Sequence, residues 1–90
     1  MSGALAQVVI YTADYCSFCA RAKALLRSKG VNFEEIDLSR DPRAREEVQQ
    51  RTGRRTVPQL FIDGVSVGGF DEIRLLDEEG ELDRLLGIQS

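Results

Sequence analysis

A β-branched and aromatic run, Val8-Val9-Ile10-Tyr11, gives way within a few residues to apolar side chains recurring every three or four positions, and at the junction stands Cys16-Ser17-Phe18-Cys19. A continuous apolar run of this kind suits a central strand covered on both faces. Thr12 to Tyr15 reads as a loop. From Cys16 to Lys29, Cys19, Ala22, Leu25 and Leu26 form one helical stripe, while Arg21, Lys23, Arg27 and Lys29 take the other faces. Gly30 is placed to stop this helix, and the cations of its last turn suit the negative end of the helix dipole. Both cysteines of the chain fall where the strand hands over to the helix.

The remaining residues complete an α/β pattern. Val31 to Leu38 predicts a second strand with one solvated side, so strand, helix and strand make a right-handed βαβ unit. Asp41-Pro42 marks a helix start and Gly53 its end, giving a charged helix over residues 42–52 with only Ala44, Val48 and Thr52 to bury. Gln59-Leu60-Phe61-Ile62, Asp63-Gly64 and Val65-Ser66-Val67 form a two-residue hairpin pattern. Gly68-Gly69 ends it, and residues 70–77 and 81–86 read as short helices closing one face of the sheet. Residues 1–90 are expected to form one domain, since a chain of this size supports a single core.

The formal charge of -3 is unevenly spread, with +3 over residues 1–55 and -6 over residues 56–90. Such a surface can orient a small charged ligand, yet it lacks the dense basic stripe of a nucleic-acid binder. The apolar run from Ala4 to Tyr11 is broken by Gln7 and has no basic flank, which supports neither a signal peptide nor a membrane span. A cytoplasmic location is expected. Thiols there are kept reduced, so two close cysteines point to catalysis or metal binding rather than to a structural disulfide.

There is no histidine, and therefore no imidazole base or ligand. A four-ligand zinc site would need two more Cys or His than the chain has. Two inert, buried cysteines are the competing reading. In the first turn of a helix, however, the Cys16 sulfur would meet free N–H groups and the positive end of the dipole, which favour thiolate over thiol. That makes Cys16 the candidate nucleophile. Cys19, almost one turn on and on the apolar side, is the candidate resolving thiol.

With Thr56-Val57-Pro58 before the third strand, Gly68-Gly69 after the fourth and Asp71-Glu72 just beyond, the chain from Val8 to about Leu86 resembles a dithiol glutaredoxin. The resemblance implies a thioredoxin fold: a four-stranded mixed sheet, order 2-1-3-4 with the third strand antiparallel, and helices on both faces. It implies a cis Pro58, a Val57 backbone that pairs with glutathione's cysteinyl peptide, and a Phe18 and Thr56 beside it. Gly69 and Phe70 then hold the γ-glutamyl carboxylate, Asp71 meets the amine and Glu72 assists.

The implied activity is that of a glutathione-dependent thiol-disulfide oxidoreductase acting on protein-glutathione mixed disulfides and small disulfides. Its partners would be glutathione and glutathionylated or disulfide-containing proteins, with no nucleic acid and no membrane, and the chain is expected to be a monomer. The family pattern is broken at three places. Ser17 and Phe18 stand where many dithiol members have Pro and Tyr, and Ala13 stands where a Lys usually precedes the nucleophile. A small residue at position 17 is shared with members that bridge a [2Fe-2S] cluster between two subunits and two glutathiones. This sets an alternative, a cluster carrier or sensor that uses Cys16 in a homodimer and needs four thiolates. A thioredoxin-like reductase is disfavoured by the absence of Trp. Arg54, Arg55 and Gln59 are the nearest candidates for the charge lost at Ala13; Arg55 is named as a guess, against the equally good reading of a solvated surface charge.

Overall fold

β1 (Val8–Thr12) is the strand on which the sheet is built, because its side chains are apolar on both faces and each face finds a cover. The computed structural model describes residues 6–88; the first two residues of the apolar run that starts at Ala4 lie outside that range. In chain order β1 is followed by α1 (Ser17–Ser28), β2 (Glu34–Asp37), α2 (Pro42–Thr52), β3 (Gln59–Ile62), β4 (Val65–Gly68), α3 (Phe70–Glu78) and α4 (Glu81–Leu86). The sheet order is β2-β1-β3-β4. β2 is parallel to β1, β3 antiparallel to β1, and β4 antiparallel to β3. This is the predicted thioredoxin-fold topology.

One face of β1 and β3, carrying Val8, Ile10, Leu60 and Ile62, packs against Ala22 and Leu26 of α1, Ile73 of α3 and Leu82 and Leu86 of α4. The other carries Tyr11 and Phe61 against Leu38 and Val48. Ile10, Leu60, Ile73, Leu82 and Leu86 are fully buried, and each such side chain contributes roughly 1.5–3 kcal/mol through lost apolar surface. The two faces are unequal. α2 buries Val48 and half-buries Ala44 and Thr52, which is the narrow stripe expected of so charged a helix.

The termini of α2 fall where the sequence puts them, with the Asp41 carboxylate accepting from the Ala44 amide at 3.1 Å and Gly53 as C-cap. The hairpin is a two-residue turn in which Asp63 and Gly64 both have positive φ, 53° and 80°. Two bounds differ from expectation. β2 spans Glu34–Asp37 rather than Val31–Leu38, because only those residues register against Val9–Thr12; Val31 and Phe33 still serve the core without a ladder. α1 starts at Ser17, and Cys16 is its N-cap rather than part of its first turn.

Lys23 and Lys29 also depart from the simple outward reading of the cationic faces of α1. Lys29 reaches Asp77 at 2.6 Å and Asp83 at 2.7 Å, tying the end of α1 to α3 and α4, while Lys23 reaches Glu35 of β2 at 2.9 Å. These ties hold the helix that carries both cysteines against the rest of the fold.

Candidate active site

Cys16 sits at the N-terminus of α1 with extended backbone angles, φ -107° and ψ 105°, so its side chain turns back over the first helical turn. There the Cys19 amide donates to the Cys16 sulfur at 3.1 Å. A helix leaves its first amides without intrahelical partners, and a sulfur at the N-cap takes one of them. On its other side the Cys16 thiol lies 3.8 Å from the Val57 carbonyl oxygen, toward which it donates. Cys16 is half-buried and free, as is the disulfide partner it could have: Cys19 is also a free thiol, but buried.

The two sulfurs therefore have opposite surroundings. Burial pushes the Cys19 thiol up to about 12, the hydrogen bond with Cys16 adds to that, and the Ala13 backbone and the charge of Lys23 work against it. A thiol in this state attacks only after something has brought it a target. Cys16, half-buried where Cys19 is buried, has the more accessible sulfur.

From Val57 a groove of about 300 Å³ runs to the N-terminus of α3. One wall is Thr56, Val57 and Pro58, with the Val57-Pro58 peptide bond cis as the resemblance implies. The other is Gly69, Phe70, Asp71 and Glu72, and Phe18 closes one end, its ring 5.6 Å from that of Phe70. All eight residues singled out around the cysteines on the resemblance thus line one groove. Its size is that of a small-ligand cleft.

Arg54 completes the lining, and Arg55 does not belong to it. Arg55 is exposed, as the alternative reading of it as a solvated surface charge has it. Arg54 Nη1 donates to Glu72 Oε1 at 2.9 Å, and the same oxygen accepts from the Gly69 amide at 2.7 Å. The Arg54 guanidinium and then the Gly69 amide hold the Glu72 carboxyl below its ordinary value. Gln59 is not a groove residue either. It is fully buried in β3, and its amide donates to the Thr56 carbonyl at 3.1 Å, which steadies the loop that carries Thr56 and Val57.

A second depression, about 580 Å³, opens on the opposite side of Cys16. Sequence reasoning passed over most of its residues. Ala13, Tyr15, Cys16 and Cys19 meet there with Lys23, Glu35 and Asp37. Tyr15 is fully exposed at a positive φ of 58°, next to the nucleophile. The signal that could have found Lys23 was its spacing, one helical turn beyond Cys19. Among the described residues no group of three or more His, Cys, Asp or Glu comes together to hold a metal, and no helix is long and apolar enough to cross a membrane. A cluster would have to draw its other thiolates from outside the chain.

Comparison with known proteins points to a single family. The family model described as Glutaredoxin matches residues 8–67. The chain is 51% identical over 82 residues to Glutaredoxin 3 of Escherichia coli, covering 91% of this chain and 99% of that protein. It is 47% identical over 79 residues to a glutaredoxin of Pseudomonas aeruginosa, covering 88% and 94%. Among solved structures, a glutaredoxin from Brucella melitensis superposes with a TM-score of 0.85 at 52% identity, covering 97% and 95% of the two chains. A buckwheat glutaredoxin-glutathione complex gives a TM-score of 0.85 at 30% identity, covering 93% and 83%.

Proposed function

The chain belongs to the glutaredoxin family and is a thiol-disulfide oxidoreductase; from that premise we propose that it uses glutathione, and that its substrates are protein-glutathione mixed disulfides and small disulfides. The observation that carries this reading is the position of Val57, whose residue lines the groove and whose carbonyl lies 3.8 Å from the Cys16 sulfur. A tripeptide laid along Val57 as an added strand brings its own sulfur to Cys16. The solved buckwheat glutaredoxin-glutathione complex, at 30% identity, supports glutathione as the ligand.

In this reading the groove binds the glutathione half of the substrate. Thr56-Val57-Pro58 offers backbone to its cysteinyl peptide, and the α3 N-terminus from Phe70 on offers amides to its γ-glutamyl carboxylate, with Gly69, its own amide held by Glu72, bringing the backbone close. Asp71, exposed at the same end, receives the amine. Cys16 thiolate then attacks the glutathione sulfur, the mixed disulfide bond breaks, and the substrate protein leaves as a thiolate. A second glutathione attacks the new Cys16-glutathione bond and leaves as glutathione disulfide; alternatively Cys19 closes on Cys16.

The test is a deglutathionylation assay on a model glutathionylated peptide. Cys16→Ser is expected to fall to the uncatalysed rate. Retained activity in that variant would overturn the assignment of the nucleophile, and a wild-type protein indifferent to glutathione would overturn the proposed reductant.

A further inference from the structure

The second depression holds one cation, Lys23, and three carboxylates, Asp14, Glu35 and Asp37, in the space lined by both cysteines. Lys23 stands one helical turn beyond Cys19 on α1, and its ammonium is fixed by Glu35 Oε2 at 2.9 Å. The same Glu35 oxygen accepts from the Thr12 hydroxyl at 2.7 Å, and Thr12 is buried in β1. The carboxylate is therefore anchored by the sheet, and it in turn anchors the lysine. Cys16 and Cys19 line the same depression. Lys23's charge is felt at the Cys19 sulfur, opposing the burial that raises that thiol.

Reduction and oxidation of the cysteine pair change the charge in this space. The reduced pair carries negative charge on sulfur whenever a thiolate is present; the disulfide carries none. A cation in the depression favours the reduced pair and an anion disfavours it.

We propose that Lys23 and Glu35, held by Thr12, are positioning residues that set the redox poise of the Cys16–Cys19 pair through their opposed charges. The inference rests on the reading of the chain as a glutathione-coupled dithiol enzyme. The exchange involved is balanced with glutathione alone. Cys16 thiolate attacks glutathione disulfide, the S–S bond breaks, and one glutathione leaves as thiolate. Cys19 then gives its proton to solvent and attacks the Cys16 sulfur. The Cys16-glutathione bond breaks and the second glutathione leaves as thiolate, taking a proton from solvent. The protein dithiol has lost two electrons and the disulfide has become two thiols.

The test equilibrates wild type, Lys23→Met, Lys23→Arg, Glu35→Gln and the double variant Lys23→Met/Glu35→Gln in glutathione redox buffers, and reads the dithiol-disulfide equilibrium by mass spectrometry after acid quench. Lys23→Met is expected to favour the disulfide by about three- to tenfold, a tenfold change being about 30 mV for this two-electron couple. Glu35→Gln should favour the dithiol by a similar factor, Lys23→Arg should stay with wild type, and the double variant should return toward it.

Loss of packing would push both single variants the same way and the double variant further still. That pattern, or no movement in either single variant, overturns the inference. If instead wild type forms no Cys16-glutathione adduct and never exchanges with the buffer, the functional reading itself fails. The two failures are thus distinguishable in one experiment.

Discussion

The amide of Cys19 donates to the Cys16 sulfur at 3.1 Å, so Cys19, the proposed resolving residue, supports the proposed nucleophile through its backbone while its own side chain is buried. Replacing the Cys19 side chain leaves that donor in place. Cys19→Ser should therefore keep its deglutathionylation rate within about threefold of wild type, since the nucleophile and its cap survive and glutathione can resolve the adduct. In single-turnover mass spectra with glutathione disulfide, the variant should stop at one bound glutathione, whereas wild type goes on to an internal disulfide. A Cys19→Ser protein as inactive as Cys16→Ser would mean that the two thiols cannot be separated into these roles.

Arg54, not Arg55, lines the groove, and its partner Glu72 also accepts from the amide of Gly69, the N-cap of α3. Removing the guanidinium frees Glu72 and takes away the cation lining that end, without touching Cys16. For Arg54→Ala we expect KM for a glutathionylated peptide to rise about three- to tenfold with kcat little changed, the signature of lost uniform binding. Because the pair is solvent-exposed, added salt should narrow the gap between variant and wild type. A larger effect from Arg55→Ala than from Arg54→Ala would reverse this assignment.

Those two arginines also show where sequence stops being informative. Helix α2 was legible to the residue because Asp41, Pro42 and Gly53 act locally, each on its own backbone. The groove residues were legible through the Thr-Val-Pro and Gly-Gly patterns that the resemblance carries. Arg54 and Arg55 are adjacent, identical in type and in an irregular loop, so no periodicity separates them; the choice is made by Glu72, eighteen residues away. β2 was overrun for a related reason. Val31 and Phe33 are apolar because they cover the core, and burial by itself does not say whether the backbone is paired. Lys23 was counted with the outward cations since nothing local reveals that Glu35, across a strand, turns it toward the cysteines.

Gly68 sits at φ 124°, a conformation that residues with a Cβ rarely adopt, and an added Cβ would fall 2.7 Å from Glu72 Oε1 and 2.9 Å from its Cγ. Gly68→Ala must distort the end of β4 and push Glu72 off the Gly69 amide. We expect a loss of about 1–3 kcal/mol in urea unfolding, typical of a strained backbone position, together with a raised KM of the kind seen for Arg54→Ala. Gly64→Ala is a useful contrast: it shares a positive φ but meets nothing within 4 Å, so it should cost stability and leave KM alone. Equal effects of both variants on KM would show that Glu72 does not shape the groove.

Acid sensitivity follows from the two carboxylates held at low values. Lys23 and then the Thr12 hydroxyl lower Glu35, and Arg54 and then the Gly69 amide lower Glu72, each from an ordinary value of 4.5. A carboxyl depressed in the folded state binds its proton more readily in the unfolded chain. Its stabilisation is therefore complete above about pH 4.5 and disappears as the pH falls through the folded value. Both groups are partly exposed, with 34% and 43% of their side chains accessible, so each pair is worth no more than about 0.5–1 kcal/mol. Glu35→Gln should thus be less stable than wild type at pH 7 by about that amount, and by less at an acid pH below the ordinary 4.5, because protonated Glu35 resembles the amide. Urea titrations at the two pH values read this directly. A difference that stays constant with pH would mean that Glu35 stabilises the fold through packing rather than through its charge.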